Sequence, residues 1–381
     1  MSTVKIETLT PVHVGSGNML YHNTDFVQVK TNKGSYIAII SEEKVWKLLN
    51  EQHLDNWLEA IKRRENLKDF IKRFAPNAQS KDYAKRRMPV HCEIKENDTL
   101  KECLHNGMGL PYIPGSSIKG GIRTAILASL ASKVQTVDDK IIVKIKDNNG
   151  VLAPKKDKYG NAIVNATKIE QELFGNDPNS DVFRFIQVGD AYFKKNTEIA
   201  TRLINLNIRN NKDDLQDSSK PQIVEAIDTE AESEFHLKVA KEYYDFVKRN
   251  YRQAGKLPVS SISDLFRLVN DHTLKLTEHE IKFWSNVEKT GGEDYVDEMQ
   301  NILKEINRCE AGQSCVLRIG HASGWRFITG AWTETMEKFK DVVVPASRPN
   351  PSHYAEYDFP KTRRLDEDSY IFGFVKLTVI D

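Results

Sequence analysis

One segment, residues 109–134, constrains the fold of this 381-residue chain more than any other. Its Pro114-Gly115 pair predicts a turn, after which Ser116 or Ser117 can cap a helix. The apolar residues of that helix recur at helical spacing and predict one buried face, made of Ile118, Ile122, Ala125, Ile126 and Leu130. The segment therefore predicts a glycine turn that opens a helix packed on a core.

The first turns of this helix have the composition of an anion-binding site. Gly120 and Gly121 each cost about 1 kcal/mol of helix stability relative to alanine, which indicates that another group approaches the backbone closely. A helix start presents free N–H groups to anions, and Lys119 and Arg123 add positive charge on a face other than the apolar one. Phosphate contacts are therefore predicted at Gly115, Ser116, Ser117, Lys119, Gly120 and Arg123.

Two other glycine-containing turns, at residues 13–17 and 320–325, are candidates for the same role. Glycine lets a backbone approach a phosphate, and histidine and tryptophan rings offer flat faces on which a base can stack. Each turn alone is also consistent with a plain turn, and the tryptophan alone with a core position. The candidate RNA-contacting residues in these turns are His13, Gly15, Gly17, Gly320, His321, Ser323, Gly324 and Trp325.

Several functional classes have no support in the sequence. The chain has no Walker loop, Rossmann fingerprint, HExxH or GxSxG motif. Its four cysteines form no CxxC pair and have no histidines at zinc-finger spacing, so neither a metal site nor a cofactor is expected. It has no apolar run of about twenty residues, and its N-terminus lacks the features of a signal peptide. We expect a cytoplasmic protein with no membrane contact.

The net charge of +1 does not indicate a nucleic-acid binder, but the charges are unevenly distributed. Residues 62–87 are rich in Lys and Arg. Lys361, Arg363 and Arg364 form a second basic cluster near the C-terminus and are predicted to contact RNA. In the first stretch Arg64, Lys68 and Lys72 are spaced four apart, which predicts a basic helical face. The apolar residues opposite it are Leu67, Phe70, Ile71 and Phe74. A solvated face, an RNA contact and a docking surface all fit this pattern.

The order of the predicted elements favours an α+β fold with an antiparallel sheet. Helices are predicted within 42–74 and within 261–308, the latter broken at Gly291-Gly292. Thr167 and Glu170 predict a capping box for a short helix that ends at Gly175, and residues 138–162 predict a mobile loop. Strands are predicted at 4–9, 26–30, 36–40, 88–94, 183–193, 221–227, 233–239, 315–319 and 371–380, with 26–30 and 36–40 forming one hairpin and 221–227 and 233–239 another.

Five segments of the chain, in order, resemble the RAMP superfamily of CRISPR proteins. YIPGSSIKGGIRTA, at 112–125, is similar to the superfamily signature in which an IPGSS segment opens a helix. TPVHVGSG at 10–17 and LRIGHASGW at 317–325 resemble its first and last glycine-rich turns. FRFIQVGDAYF at 183–193 resembles its V-S-D segment, with Gly189 where serine is usual. The ending, FPKTRRL followed by GFVKL, resembles the fifth-subunit family of type III-A, or Csm, complexes.

The resemblance implies an RRM-like, or ferredoxin-like, antiparallel-sheet core in a single unit spanning residues 1–381. Helical insertions would lie at 42–87, which is basic, and at 241–310, which is acidic. It also implies a non-catalytic, crRNA-binding end subunit that caps the 3′ end of the guide beside a backbone RAMP subunit. Such a subunit supports guide maturation through recruited host nucleases and meets target RNA only indirectly.

The alternative is an RNA-cleaving RAMP endoribonuclease. Backbone subunits of the superfamily cut target RNA with an aspartate shortly after the first glycine turn, and Asp25 stands near that position. Asp25 lacks the neighbouring glycine of the slicing subunits, which favours a turn residue. His13 could act as a general acid or base in guide processing, but the sequence shows no clear histidine or tyrosine partner for it.

Overall fold

The computed structural model describes residues 1–32, 34–49, 53–131, 133–134, 137–147, 150–208, 216–251, 255–287, 291–328, 330–347 and 359–381. The strands in this part of the chain are β1 (Ser2–Thr8), β2 (Gly15–Tyr21), β3 (Phe26–Thr31), β4 (Gly34–Ile40), β5 (Ala84–Pro89), β6 (Thr99–Cys103), β7 (Tyr112–Ile113), β8 (Lys144–Lys146), β9 (Leu152–Pro154), β10 (Ile186–Val188), β11 (Ala191–Tyr192), β12 (Glu198–Asn207), β13 (Gln216–Ile227), β14 (Glu232–Val239), β15 (Ser314–Arg318), β16 (Thr362–Asp366) and β17 (Phe374–Val379).

The helices are α1 (Glu42–Leu49), α2 (Leu54–Lys62), α3 (Leu67–Phe74), α4 (Ser80–Tyr83), α5 (Gly115–Ala131), α6 (Val137–Lys140), α7 (Thr167–Phe174), α8 (Lys241–Tyr251), α9 (Ile262–Trp284), α10 (Gly292–Asn307), α11 (Gly324–Phe327) and α12 (Val344–Ser347). Short 3-10 turns lie at Val182–Phe185 and Ala331–Thr335, and a π turn at Phe339–Val343. No helix of the described residues is long and apolar enough to cross a bilayer.

A five-stranded antiparallel sheet in the order β10-β14-β1-β17-β15 forms the centre of the fold. Its first four strands follow the order of a ferredoxin-like sheet, and β15 adds an edge strand. The predicted apolar face of α5 packs here, with Ile118, Ile122 and Ile126 completely buried. The predicted α+β class with an RRM-like core is confirmed.

A second five-stranded sheet, in the order β16-β12-β13-β6-β2, is joined to the first. Its strands are antiparallel except for β13 and β6, which run parallel. Val12, just after β1, forms a bridge with Ile227 of β13, and Leu9 N donates to Phe374 O of β17 (2.9 Å). This sheet carries β6 and β16 close to the first glycine turn.

The predicted hairpin of 221–227 with 233–239 is wrong. β13 pairs with β12 and β6, whereas β14 pairs with β1 and β10. Thr8, at the end of β1, holds the connection between them: its Oγ1 donates to Asp228 O (2.6 Å), and Ala231 N donates to that Oγ1 (2.9 Å). Because β1 captures this backbone, the chain crosses from one sheet to the other instead of folding back on itself.

Strands β3, β4 and β5 form a separate three-stranded sheet that packs with α1–α4 around its own apolar cluster. The predicted hairpin of 26–30 and 36–40 is present; of its turn, Lys33 lies outside the described residues. The strand predicted at 88–94 instead begins at Ala84 and ends at Pro89, because proline has no N–H to continue the ladder.

The basic face predicted for residues 64–72 is only partly formed. α2 ends before Arg64, which adopts φ +52° in the turn that precedes α3. Lys68 and Lys72 lie on α3, and the apolar residues opposite them are buried as predicted, namely Leu67, Phe70 and Ile71. The face therefore consists of Lys68 and Lys72 without Arg64.

The predicted break at Gly291-Gly292 separates α9 from α10, with Gly291 at φ +91°. Ser261 caps α9, since its Oγ accepts a hydrogen bond from Asp264 N (3.0 Å). Leu265 and Phe266 of α9 are buried in the main core. This part of the acidic segment therefore forms a layer on the central sheet.

Two local predictions between residues 138 and 175 need correction. The stretch expected as a mobile loop contains the β8–β9 hairpin, and Asp147 Oδ1 beside it accepts a hydrogen bond from Val151 N (2.9 Å). Thr167 does not cap α7, because it is the first residue of the helix. The cap position is Ala166, whose side chain makes no capping hydrogen bond. Glu170 is consequently free for another partner, whereas Gly175 ends the helix as predicted.

Residues 183–193 form two short strands after a 3-10 turn rather than one strand. The break falls at Gly189 and Asp190, between β10 and β11. Gly189 N donates to His236 O (2.8 Å), which keeps it beside β14, while Asp190 leaves the sheet to bind the start of α5. The segment therefore connects the central sheet to the second glycine turn.

Candidate nucleic-acid interface

The first and third glycine turns form one structure. His321 N donates to His13 O (2.8 Å), and the two imidazole rings lie edge to face with centroids 5.6 Å apart. Gly320 has φ +79°, and a Cβ at that position would lie 2.6 Å from His13 O. Glycine is therefore required at residue 320 by protein backbone that lies against it.

His13 is an interior residue of this structure. It is 2% exposed, its Nδ1 lies 2.6 Å from Glu225 O, and Cys103 Sγ is 3.4 Å from the same nitrogen. Burial lowers the pKa of His13, so the neutral imidazole is favoured. A Cβ at Gly15 would lie 2.9 Å from His13 Nε2, whereas Gly17, at φ +91°, faces open space.

Beside these turns lies a group of residues that we call the cationic site, made of the cations Lys101 and Arg364 and the imidazole of His321. Arg364 Nη1 lies 2.8 Å from His321 Nε2, and none of the three is completely buried. Burial and the neighbouring charges of Lys101 and Arg364 lower the pKa of His321 to about 4. Within the described part of the chain, neither Lys101 nor Arg364 has a carboxylate partner. Positive charge is therefore concentrated here without internal compensation.

Lys101 was missed by the sequence analysis. It lies on β6 next to Met19 of β2, and burial together with Arg364 lowers the pKa of its ammonium group. Consecutive strand residues face opposite sides of a sheet, so Lys101 lies on the face opposite Leu100, which is completely buried. The sequence TLKEC does not alternate between apolar and polar residues, and the pairing of β6 with β13 and β2 was not visible in it.

Arg363 points away from the cationic site because consecutive strand residues face opposite sides of a sheet. It is 4% exposed, and its Nε and Nη2 donate to the two oxygens of Glu280 (2.5 and 2.6 Å). Arg326 binds the same carboxylate. Together these arginines lower the pKa of Glu280 to about 2 despite its burial. The guanidinium of Arg363 is thus enclosed by protein. Lys361, two residues earlier in the C-terminal segment FPKTRRL, is half-buried.

The second glycine turn lies against the segment that joins β10 and β11. Gly115 N donates to Asp190 Oδ1 (2.7 Å), and a Cβ at Gly115 would lie 2.3 Å from Val188 O. Gly121 packs against Ile319, whose Cγ2 would lie 3.0 Å from an added Cβ. The close approach predicted from sequence is therefore made by protein at Gly115 and Gly121.

A surface cleft follows the exposed side of the α5 start and is lined by Ser116, Lys119, Gly120 and Arg123, with Ser117 close by in the same turn. Gly120 faces open space, so its backbone is accessible. Lys119 is half-buried and makes no ion pair among the described residues. Burial lowers the pKa of its ammonium group.

Arg123 in the same cleft is already paired. Its Nη2 donates to Glu170 Oε2 and its Nη1 to Asp181 Oδ2, each at 2.9 Å. The guanidinium also lies over the rings of Phe174 and Phe183, at 4.4 and 4.9 Å from their centroids. Two carboxylates thus balance the charge that the sequence analysis assigned to phosphate binding.

Trp325 belongs to an aromatic cluster of the protein. Its ring lies edge to face with Phe359, with centroids 4.7 Å apart, and 6.1 Å from the ring of Phe339. Ser323 is 2% exposed and donates to Gly320 O (2.8 Å), which closes its own turn, and Gly324 follows at φ +78°. The half-buried ring of Trp325 therefore packs on protein over part of its surface, and its contact with a base stays a prediction.

Glu102, His105 and Glu225 are the only group of described residues with the composition and spacing of a metal site. Arg86 already binds both carboxylates: its Nε donates to Glu225 (2.9 Å) and its Nη2 to both Glu225 and Glu102 (2.9 Å each). Cys103 N also donates to Glu225 (2.9 Å). The cluster has the arrangement of a buried ion-pair network.

Asp25 stabilises a turn. Its Oδ2 accepts a hydrogen bond from Tyr21 N (2.7 Å), and its own N–H donates to Tyr21 O (2.9 Å). Ile40 N donates to Asp25 O (2.9 Å), which ties the turn to β4. The side chain therefore has a structural role in this turn, and the absence of a catalytic role stays a prediction.

Comparison with known proteins yields consistent matches. A model of the RAMP superfamily matches residues 5–327. The "CRISPR system Cms protein Csm5" of Methanocaldococcus jannaschii is 23% identical over 413 residues, covering 99% of this chain and 89% of that protein. A chain of a type III-A Csm-crRNA-target RNA ternary complex has a similar fold (TM-score 0.68, 19% identity, 99% of this chain and 100% of that one). The crystal structure of T. onnurineus Csm5 is also similar (TM-score 0.59, 18% identity, 99% and 100%).

Proposed function

The chain belongs to the RAMP superfamily, and from this premise we propose that it is a crRNA-binding subunit of a type III-A, or Csm, interference complex. The near full-length similarity to a protein named Csm5 and to a chain of a Csm-crRNA-target RNA complex supports this assignment. The absence of a nucleotide-binding or hydrolytic fingerprint in the sequence agrees with a binding role.

The observation that carries the proposal is the cationic site. Lys101 and Arg364 are partly buried cations with no carboxylate partner among the described residues. Removing a cation from water without compensation is costly, which favours an external anion at this position. A phosphate of the RNA backbone fits this site, because phosphate contacts position RNA without reading its sequence.

The α5 cleft is the second proposed contact. Lys119 and the exposed Ser116 present donors to a phosphate at a helix start, and the missing side chain of Gly120 leaves room for it. Arg123 supports this site indirectly, because its ion pair with Glu170 holds α5 against α7 and its ion pair with Asp181 holds α5 against the start of the following 3-10 turn. Lys119, rather than Arg123, therefore makes the phosphate contact.

The proposed position in the complex is the 3′ end of the guide, beside a backbone RAMP subunit. In that position the chain caps the guide and supports its maturation, while recruited host nucleases supply the chemistry. The proposal rests on the similarity of fold and of the C-terminal ending FPKTRRL. Arg363 from that ending contributes stability rather than an RNA contact, because Glu280 encloses it.

An RNA-cleaving activity is the second candidate, and the geometry gives it little support. Asp25 serves a turn, and His13 is buried with its Nδ1 bound to a backbone oxygen. The test is incubation of the purified chain with RNA, with and without a metal chelator. Intact RNA in both conditions is expected, and specific cleavage that disappears in a catalytic-site variant would establish the enzyme instead.

The binding role is tested by purifying the assembled complex and sequencing the RNA that comes with it. Small RNA of discrete length is expected, and Lys101→Ala/Arg364→Ala should reduce its amount or shift its 3′ ends. The matched control is Lys304→Ala/Arg308→Ala, which removes the same charge from two exposed residues at the C-terminal end of α10. An identical RNA population from wild type and both variants, at equal assembly, would contradict the proposal.

A further inference from the structure

Two tyrosines form a stacked pair on the small β7–β11 ladder. Tyr112 and Tyr192 are directly opposite each other in the register, with ring centroids 5.3 Å apart and planes at 30°. Tyr192 is 47% exposed, whereas Tyr112 is half-buried beneath it. The outer ring therefore offers an aromatic face to solvent, with a second ring behind it.

The pair is tied to the second glycine turn through one carboxylate. Tyr192 OH donates to Asp190 Oδ2 (3.1 Å), and the other oxygen of Asp190 accepts from Gly115 N (2.7 Å). Ser233 Oγ donates to Tyr192 O (2.6 Å) and fixes the backbone from the side of β14. The position of the exposed ring is thus set by the residue that also positions the start of α5.

The pair also lies near the first glycine turn. Tyr112 N donates to Leu104 O (3.2 Å), and Leu104 N donates to Val14 O (2.9 Å). Two hydrogen-bonded strand spacings separate Val14 from Tyr112, or roughly 10 Å. The backbone of the pair is therefore close to the first glycine turn, and Asp190 links Tyr192 to the start of α5.

We propose that the Tyr112–Tyr192 pair is a stacking platform for one unpaired base of bound RNA. The inference rests on the proposed RNA-binding function and adds a base contact to its phosphate contacts. Aromatic rings stack on any base, and a neighbouring cation attracts the backbone that carries the base. Lys194 and Lys195 follow Tyr192 and are exposed, which supplies that positive charge.

The surroundings favour RNA over a protein partner. The stack presents a single aromatic face whose hydroxyl is already bound to Asp190, rather than a broad apolar patch. Its exposed neighbours along the chain, Lys194 and Lys195, are positively charged and attract a polyanion such as RNA. One base is the appropriate size for one ring, and its phosphate would reach the flanking cations.

The test is a coupling experiment between a protein variant and an altered RNA. Binding of Tyr192→Ala is measured against single-stranded RNA in which one abasic nucleotide is placed at each position in turn. Tyr192→Ala should weaken binding to intact RNA by roughly fivefold or more, the range expected for loss of one stacked base. At one abasic position the variant should lose nothing further, because the base that it would stack is already gone.

Three controls separate the possible failures. Tyr192→Phe keeps the ring and should bind RNA with most of the wild-type affinity. This result is expected even if a thermal melt shows that Tyr192→Ala is less stable. Tyr243→Ala removes a similarly exposed ring from α8 and should bind as wild type does. Lys101→Ala/Arg364→Ala tests the phosphate contacts independently of the platform.

The outcomes are distinct. If Tyr192→Ala binds normally while Lys101→Ala/Arg364→Ala is weakened, the platform is wrong and the proposed function stands. If the losses of binding free energy caused by the abasic nucleotide and by Tyr192→Ala add at every position, the ring does not stack on a base. If Tyr192→Ala binds RNA normally but fails to assemble with its neighbouring subunit, the pair is a protein contact. If the wild-type chain binds no RNA, the proposed function itself fails.

Discussion

Arg363 and Arg364 are consecutive residues of β16 with opposite environments. Arg363 is enclosed on one side of the sheet, where it shares Glu280 with Arg326. Arg364 lies on the other side, beside His321, with no carboxylate partner among the described residues. The same residue type therefore stabilises the fold at one position and leaves its charge available for a ligand at the next.

The cleft at α5 repeats this comparison. Arg123 is bound to Glu170 and Asp181, whereas Lys119, four residues earlier, has no ion pair in the described part of the chain. Net charge near a motif is a poor guide to RNA contacts when carboxylates are packed against it. Whether a cation is compensated by the protein distinguishes the two roles.

The largest effect is expected from Arg363→Met. The substitution leaves Glu280 buried with one of its arginines lost, and breaking a buried pair of this kind costs about 3 kcal/mol or more of unfolding free energy. Arg364→Met, the adjacent control, should change stability by less than about 1 kcal/mol, because its side chain is half-exposed and has no carboxylate partner in the described part of the chain. Urea unfolding of both variants measures the difference. Equal destabilisation would remove the distinction between the two faces.

The two faces should also respond to acid in different pH ranges. The folded pKa of Glu280, about 2, is below its ordinary 4.5, so the unfolded chain takes up that proton first. The contribution of Glu280 to stability is present above about pH 4.5 and is lost as the pH falls towards 2. The depressed pKa of His321, about 4 against an ordinary 6.5, makes acidification destabilising between those values.

Unfolding free energies of wild type, Glu280→Gln and His321→Gln, measured from pH 7 to the acid limit, test this assignment. Glu280→Gln should be less stable than wild type by about 3 kcal/mol at neutral pH, with the gap closing below pH 4.5. As the pH falls from 6.5 to 4, the unfolding free energy of His321→Gln should decrease less than that of wild type. Parallel curves for all three proteins would show that these groups do not titrate as assigned.

A smaller effect on stability is expected from substituting the two cations of the α5 cleft one at a time. Arg123→Ala loses its ion pairs and its packing on Phe174 and Phe183, and should cost about 1 to 2 kcal/mol of stability. Lys119→Ala should leave thermal stability nearly unchanged and weaken RNA binding to a similar degree for every RNA sequence. Thermal melts and filter binding of both variants decide between them. A stable Arg123→Ala that loses RNA would reverse the roles.

The smallest effect is expected at Asp25. Asp25→Asn keeps an acceptor for Tyr21 N and should leave cleavage of target RNA by the assembled complex unchanged. Asp25→Ala should lose only local turn stability. Mapping the cut sites with wild-type and variant complexes measures this, and the loss of one cut site from a fully assembled complex would make Asp25 catalytic.

Local patterns in the sequence predicted the α5 helix, its apolar face and the break at Gly291-Gly292, because each depends on nearby residues. The crossing of the chain at residues 228–231 was not predictable, since it depends on Thr8 of a distant strand. Glu170 was expected to cap a helix and instead binds Arg123. Pairing between distant residues therefore determined both the sheet order and which cations remain available.

The cationic site is tested most directly by the salt dependence of RNA binding. Each phosphate that a protein neutralises contributes about 0.7 to the slope of log affinity against log salt for single-stranded nucleic acid. Lys101→Ala/Arg364→Ala should therefore weaken RNA binding at low salt and flatten the slope by about 1.4. Lys304→Ala/Arg308→Ala, with the same loss of charge at the C-terminal end of α10, should keep the wild-type slope. An unchanged slope in the first variant, or an equal change in both, would contradict the account.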